Sequence, residues 1–355
     1  MSRALGAVRQ IGIGSLCSFM DGLFERLDQL SDDRLHVAEF SIAAMNFRLR
    51  CSSSALRDRY LSRLFIQPPV AGPFLRIDVV STAELGWPAC QWSEPGWQMH
   101  IFDEAVAAGG YQADYPYFDR QWIVRQSRSG NCCYMIENMD DLLPWDSGSP
   151  IRLFLNWSLL AQRRRMVHAG SLGFEGKGVL LAGPGGSGKS GTTLAGLAHG
   201  LTTVGDDYLL LDQTSRPTAS PLYRLIKQDP KGISRIPGLG DRIGEAVLNW
   251  QGKLEFNPCS VFPGAFVDRL ELRAVLLPVV AKSQETTFEP VHRAEAIRFL
   301  ASAMLDQLPS DPARMLLFFG GITAQLPVYR IRLSEDSREI AAAVRRMIEG
   351  KHHGA

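Results

Sequence analysis

The sequence predicts an α/β protein in two parts: a smaller α+β domain over residues 1–148 and a larger α/β domain over residues 149–355. Three observations predict it. A chain of 355 residues exceeds the ~100–200 residues of an ordinary domain. A stretch punctuated by Pro and Gly, Leu142-Leu-Pro-Trp-Asp-Ser-Gly-Ser-Pro150, closes a region of aromatic, strand-like sequence. Beyond it, an apolar run, a glycine loop and a helical stretch succeed one another at residues 179–200, the sequence form of one β-loop-α unit.

Composition supports a folded chain. Hydrophobic residues make up 45% and charged residues 21%, which excludes long disorder, coiled coil and collagen-like structure. The formal charge of +1 leaves no whole-chain field to attract nucleic acid or an anionic membrane. Neither is expected as a partner. Six scattered cysteines, with no CxxC, suggest neither a zinc site nor a disulfide framework. No run approaches the ~18–20 apolar residues of a membrane span. Arg3, Arg9 and the apolar stretch 11–20 faintly resemble a signal peptide, but that stretch is short, Gly-rich and followed by Asp21. A cytoplasmic protein is expected.

In the N-terminal part, residues 36–42 and 74–80 read as strands and residues 54–65 as a helix. Trp87, Trp92, Trp97, Tyr111, Tyr115, Tyr117, Trp122 and Tyr134 then crowd residues 86–141. Without interleaved basic residues they read as core aromatics of an antiparallel sheet rather than a stacking platform for nucleic acid. Residues 121–126 and 132–136 form a hairpin around Ser129-Gly-Asn131. After the boundary a helix is expected over residues 151–166. Near the end, Ile340, Val344 and Ile348 recur every four residues, as on an amphipathic helix over 337–348. The terminal His352-His353 pair reads as a frayed end.

The chemistry begins at Gly183-Pro-Gly-Gly-Ser-Gly-Lys-Ser190. The spacing G-x-x-x-x-G-K-S after a strand and before a helix is a P-loop: glycines let successive backbone N–H groups face phosphate oxygens at a helix N-terminus. Gly183, Gly185, Gly186, Ser187, Gly188, Lys189, Ser190 and Gly191 are the candidate nucleotide-binding residues. Lys189 would meet the β- and γ-phosphates and Ser190 would ligate Mg²⁺. The glycines also spell G-x-G-x-x-G, but dinucleotide binding has no use for the Lys-Ser pair that comes next.

Asp206 and Asp207 lie at a loop or strand edge just before the apolar run Tyr208-Leu-Leu-Leu211. Phosphoryl transfer can use such a pair, one carboxylate near Mg²⁺ and one taking a proton from an attacking hydroxyl. A solvated turn rich in Asp is the plainer reading, and these residues alone do not choose. His168 alone reads as a packed residue.

Taken together, Val167-His-Ala-Gly170, Gly178-Val-Leu-Leu-Ala-Gly183, the P-loop and Gly200-Leu-Thr-Thr-Val-Gly-Asp-Asp207 resemble the core of the HPr kinase/phosphorylase family over about residues 165–212. The resemblance implies a PEP-carboxykinase-like P-loop domain with a mixed sheet, using ATP and Mg²⁺ to phosphorylate a serine hydroxyl. It implies Asp206 as general base, Asp207 as its metal-associated neighbour, and His168 beside the reacting groups. Tyr223-Arg-Leu-Ile-Lys227 resembles a segment of related proteins, which puts Lys227 at the transferred phosphate. Lys231, Arg235 and Arg242 flank a loop over 229–244 that either closes on phosphates or is solvated. The family assembles as hexamers, which admits a homo-oligomer here. The N-terminal part does not resemble that of true HPr kinases, and the layout is more similar to HPr-kinase-like proteins of peptide-modifying clusters. That implies a peptide or protein serine as acceptor, with the N-terminal domain recognising it. A small-molecule alcohol kinase and a non-catalytic nucleotide-binding module are the alternatives.

Overall fold

The structure is a computed structural model that describes residues 9–92, 99–114, 121–159, 164–244, 246–305 and 311–351. Arg3, Trp97, Tyr115, Tyr117, His352 and His353 lie outside these residues. The fold is mixed α/β with mixed sheets, and the chain divides into two units: residues 1–62 with 66–146, and residues 63–65 with 147–355.

The first unit runs β1 (Arg9–Ile11), α1 (Leu16–Gln29), β2 (His36–Ile42), β3 (Met45–Cys51), α2 (Ser54–Leu61), β4 (Phe74–Ser81), α3 (Thr82–Leu85), β5 (Cys90–Trp92), α4 (Met99–Ala108), β6 (Tyr111–Asp114), β7 (Trp122–Gln126) and β8 (Cys132–Ile136). Six strands form a sheet in the order β2-β3-β4-β8-β7-β6, and β1 pairs with β5 in a separate ribbon. Helix α1 buries Leu16, Phe19, Met20, Leu23, Phe24 and Leu27, a spacing of three and four that makes one apolar stripe. That stripe packs on Trp122, Val124 and Met135 of the sheet, each large side chain contributing ~1.5–3 kcal/mol. Trp122 and Tyr134 are buried, as core aromatics should be. On the central strand, Asp78 is fully buried between Arg50 (2.7 Å) and Arg76 (2.9 Å), and Arg50 also donates to the Leu27 carbonyl at the end of α1. These charges fasten helix to sheet.

The second unit runs α5 (Arg152–Leu159), β9 (Arg164–Phe174), β10 (Lys177–Ala182), α6 (Lys189–Ala198), β11 (Tyr208–Asp212), β12 (Thr218–Pro221), β13 (Ile226–Gln228), α7 (Pro230–Ser234), α8 (Leu239–Ile243), β14 (Val247–Leu248), β15 (Leu254–Phe256), β16 (Leu270–Ser283), β17 (Thr287–Pro290), α9 (Arg293–Leu305), α10 (Pro312–Gln325), β18 (Val328–Ser334) and α11 (Ser337–Ile348). Seven strands take the order β10-β9-β11-β12-β16-β18-β17, and β10 also pairs with β16. That extra pairing closes β9, β10, β16, β12 and β11 into a ring. A second sheet has the order β13-β15-β14.

Helix α6 is held on two sides. Ala195 packs with Leu172, Leu181, Leu276 and the α11 residues Ile340 and Val344, whereas Leu194 and Leu197 pack with Ile226, Ile233 and Phe256 around the small sheet. A Cβ on Gly196 would come within 2.3 Å of Leu172, so only glycine permits this approach of helix to strand.

Two elements depart from the sequence reading. The helix expected over 54–65 ends at Leu61, and Leu64 instead bridges Tyr223. The helix expected over 151–166 ends at Leu159, and Arg164, Arg165 and Met166 already belong to strand β9. These residues are committed to strand pairing: Arg164 faces Asp212 across the ladder and Met166 faces Leu210.

Candidate functional site

Strand β10 is apolar and buried from Gly178 to Ala182, so it delivers the chain to the loop from the middle of the core. The loop has three glycines at positive φ, Gly186 (φ +79°) in open space and two others that are also crowded. Gly183 has φ +155° and a Cβ there would sit 2.8 Å from Ser187 Oγ. Gly188 has φ +110° and a Cβ would sit 2.8 Å from Leu333. Gly185 and Gly186 have nothing within 4 Å of that position, which leaves the loop's outer face open. Gly191, one turn into α6, lies against Gln228 of the small sheet.

Lys189 folds back over the loop and donates to the carbonyls of Gly183 (2.6 Å) and Pro184 (3.1 Å). Burial lowers its pKa, with Asp206 and Asp207 acting in the other direction. The first amides of α6 have no acceptor within the helix, so they and Lys189 converge on one place as donors.

The turn before β11 is fixed from β9. Backbone bonds run from Ala169 to Asp207 (3.1 Å) and from Ser171 to Gly205 (3.0 Å). The Ser171 and Thr203 hydroxyls meet at 2.9 Å, and Val204 N donates to Ser171 Oγ at 3.0 Å. Pairing of His168 with Tyr208 sets the imidazole beside the turn.

The two carboxylates enter different surroundings. Asp206 is 3% exposed, and among the described residues neither of its oxygens has a hydrogen-bond partner. Burial pushes its pKa up to about 7; the nearby Ser190 and Thr193 hydroxyls and Lys189 oppose the shift without closing a bond of good geometry to it. Asp207 pairs with Lys227 Nζ at 2.7 Å and His168 Nε2 at 3.3 Å, and accepts from Ser149 Oγ at 3.3 Å. Burial would raise its pKa, yet Lys227 and His168 hold it well below the ordinary carboxylate range. Lys227 also lies 4.0 Å from Glu255, which accepts from Asn249 at 2.9 Å.

The structure therefore gathers Lys189, Ser190, Asp206, Asp207, His168 and Lys227 at one site, and sets Ser190 beside Asp206. Residues Ser149, Gly170, Thr193, Glu255 and Asn249 belong to it as well. Gly170 carried a signal in Val167-His-Ala-Gly170, since a Cβ there would stand 2.8 Å from Thr193 Oγ1 and 3.3 Å from Asp206 Oδ1. The others have no local pattern to mark them. The segment 229–244 is largely helical; Arg242 donates to the Val261 carbonyl and stacks on Phe262 at 5.1 Å.

These groups fit a magnesium nucleotide. The Ser190 hydroxyl and the ionised Asp207 are the hard-oxygen groups that could hold the metal, and Ser187 Oγ and Thr193 Oγ1 are buried without partners among the described residues. Those residues hold no group of three or more His, Cys, Asp or Glu able to bind a metal. Mg²⁺ suits so sparse a set, because it takes most of its ligands from phosphate and water.

No family model and no curated protein matches the chain. Among solved structures, the HPr(Ser) kinase/phosphatase from Coxiella burnetii matches with 16% identity over 48% of this chain and 85% of its own, at a TM-score of 0.24. No helix among the described residues is long and apolar enough to cross a membrane.

Proposed function

We propose that the chain is an ATP- and Mg²⁺-dependent kinase, built on a P-loop domain of the PEP-carboxykinase type, that phosphorylates a hydroxyl, a serine of a peptide or protein. One observation carries this reading: a buried, unpartnered Asp206 stands against the Lys189-Ser190 end of the loop while its neighbour Asp207 is neutralised by Lys227 and His168. Passive nucleotide binding needs the loop alone and would not repay a buried carboxylate left without a partner.

In this reading Lys189 and the loop amides bind the β- and γ-phosphates. Ser190 would hold Mg²⁺, with the ionised Asp207 supplying further negative charge to the site, and the metal would neutralise charge on the phosphates. Asp206 orients the acceptor hydroxyl and accepts its proton at Oδ1 or Oδ2. A carboxyl poised at about 7 is matched to that task at neutral pH. Lys227 and His168 keep Asp207 from competing for the proton. Recognition of the acceptor is assigned to the N-terminal domain, which the sequence bounds at residue 148.

The test is transfer from γ-labelled ATP with Mg²⁺ to serine-bearing peptides and small alcohols, comparing wild type with Asp206→Asn. Label on a peptide serine that disappears in the variant supports the reading. Label on small alcohols alone moves the acceptor to a metabolite. Tight ATP binding with no transfer, indifferent to Asp206→Asn, replaces the kinase with a binding module.

A further inference from the structure

The end of the strand ring remote from the phosphate loop holds a polar cavity to which the proposed reaction gives no role. Gly176 immediately precedes β10, and β10 runs from there to the loop, so its 6 residues separate the two places by ~20 Å. The cavity has a volume of about 440 Å³, ordinary for a small-molecule site. Arg216, Arg269 and Glu271 supply its charges, and Thr214, Ser215 and Thr218 its hydroxyls.

The surrounding backbone is fixed by the ring. Glu271 N donates to the Gly176 carbonyl at 2.9 Å, and Leu272 N to the Pro217 carbonyl at 2.9 Å. Thr218 pairs with Glu271 across β12 and β16. The Thr214 hydroxyl donates to the Arg216 carbonyl at 2.6 Å, which holds the turn between β11 and β12. At Gly176 nothing stands within 4 Å of the place a Cβ would take, so the cavity is unobstructed there.

Cations outnumber carboxylates around this cavity. Glu271 is engaged by Arg273 at 3.0 Å, from an adjoining cavity of about 330 Å³. Arg216 reaches the same carboxylate only at 3.5 Å, with its own side chain 77% exposed. The Arg269 side chain makes no ion pair or hydrogen bond among the described residues. One carboxylate thus serves three guanidinium groups, and the two that it holds least, Arg216 and Arg269, line the same cavity. Like charges around one space repel until an anion enters it.

We infer that this cavity is a second anion site, which takes a small phosphate monoester with its phosphate between Arg216 and Arg269. A guanidinium offers paired donors that match two oxygens of one anion. A phosphate monoester has three terminal oxygens to share between two such forks, where a single carboxylate has only two. Arg216 exchanges its long contact with Glu271 for the phosphate, and Arg273 keeps Glu271 neutralised. The side chains that line the cavity are all polar, so the body of the ligand is a hydroxylated one, which Ser215, Thr218 and the remaining lone pairs of Glu271 can meet. None of these residues belongs to the phosphate loop or to the Asp206 turn, and the site stands whether or not the chain is a kinase.

The experiment is calorimetric titration of the full chain, saturated with MgADP so that the phosphate loop is occupied, with glycerol phosphate, inorganic phosphate and citrate. Glycerol phosphate is expected to bind, and Arg269→Gln to weaken it about tenfold or more. Glu271→Gln, which releases Arg216, should tighten it by about twofold to fivefold. Both variants should bind MgADP as wild type does. Glycerol phosphate that fails to bind, that binds wild type and Arg269→Gln equally, or that is displaced by MgADP overturns the second site and leaves the kinase reading untouched. Citrate binding more tightly than either phosphate overturns it as well, in favour of a carboxylate site. If MgADP itself does not bind, the kinase reading falls, and the loss of glycerol phosphate in Arg269→Gln still decides the cavity.

Discussion

At the residue scale, Asp206 and Asp207 show how two adjacent carboxyls acquire opposite proton affinities. Burial without partners raises the first to about 7, while Lys227 and His168 hold the second ionised. A pair of groups driven apart in this way is how sites assign acid and base roles. If Asp206 is the base, kcat/KM for the acceptor climbs about tenfold per pH unit below about pH 7 and levels above it, because only the ionised form accepts a proton. A flat profile between about pH 5 and 9 would remove the assignment. Stability should move the opposite way. The native carboxyl keeps its proton up to about 7 whereas the unfolded chain releases it near 3.8, so the nucleotide-free protein loses stability as pH rises through that window. Asp206→Asn abolishes the loss. Urea unfolding should find the variant more stable than wild type by up to about 4 kcal/mol at about pH 8 and nearly equal at about pH 4.

Gly170 is the second residue to test. Its Cβ position is 3.3 Å from Asp206 Oδ1, so Gly170→Ala should cost about 1–3 kcal/mol by overpacking and, if Asp206 is the base, lower transfer by at least about tenfold by displacing it. Equal turnover of variant and wild type would show that Asp206 does not need its present position. Lys189 and Ser190 were legible in the sequence because the spacing that defines them is local. The closeness of Gly170 and Thr193 to Asp206 was not, since it arises only when β9 and α6 are laid against the same turn.

At the scale of elements, the decisive piece is the small sheet. It supplies Lys227 to Asp207 and passes close to Gly148, where a Cβ would come within 2.3 Å of the end of the Lys227 side chain and push it from its place. Lys227→Met leaves Asp207 largely buried with one cation fewer, and should destabilise by about 3 kcal/mol. The double variant with Asp207→Asn should recover most of that loss, a coupling that chemical denaturation of the four proteins measures directly. Additive losses would mean that the pair contributes nothing jointly. The sequence reached Lys227 by resemblance, not by pattern: β13, β14 and β15 are two or three residues long, too short for alternation to register. Longer elements were easier. Helix α11 was legible from Ile340, Val344 and Ile348, whereas α5 was overrun because Leu160-Ala-Gln-Arg-Arg-Arg165 are all good helix formers, and Arg164 and Arg165 belong to strand β9 only through their pairing with β11.

At the scale of the molecule, the mixed α/β character came from one β-loop-α unit and the strand-like runs around it. The chain path did not. Residues 63–65 belong to the second unit, where Leu64 is fully buried and bridges Tyr223, Phe65 N donates to the Leu222 carbonyl at 2.9 Å, and the Phe65 and Phe266 rings lie 5.6 Å apart. Nothing local in that tripeptide announces so distant a partner. Leu64→Ala should therefore cost about 2–5 kcal/mol and lower the melting transition that nucleotide raises by about 5–15 °C, leaving any transition of the first unit in place. Calorimetry with and without MgATP separates the two. A shift confined to the nucleotide-insensitive transition would place the tripeptide in the wrong unit.

Among the described residues, the ring of β9, β10, β16, β12 and β11 leaves β17 at the far end of the strand order of the large sheet; β17 is four residues long and carries Glu289 and Pro290. Proline has no N–H to offer an incoming strand, and a charged side chain discourages one from approaching. Growth of this sheet by strand addition is thereby discouraged at its outer margin. Copies of the second unit would meet through side-chain surfaces rather than by continuing this sheet, and the folded unit gives a fibril little from which to extend.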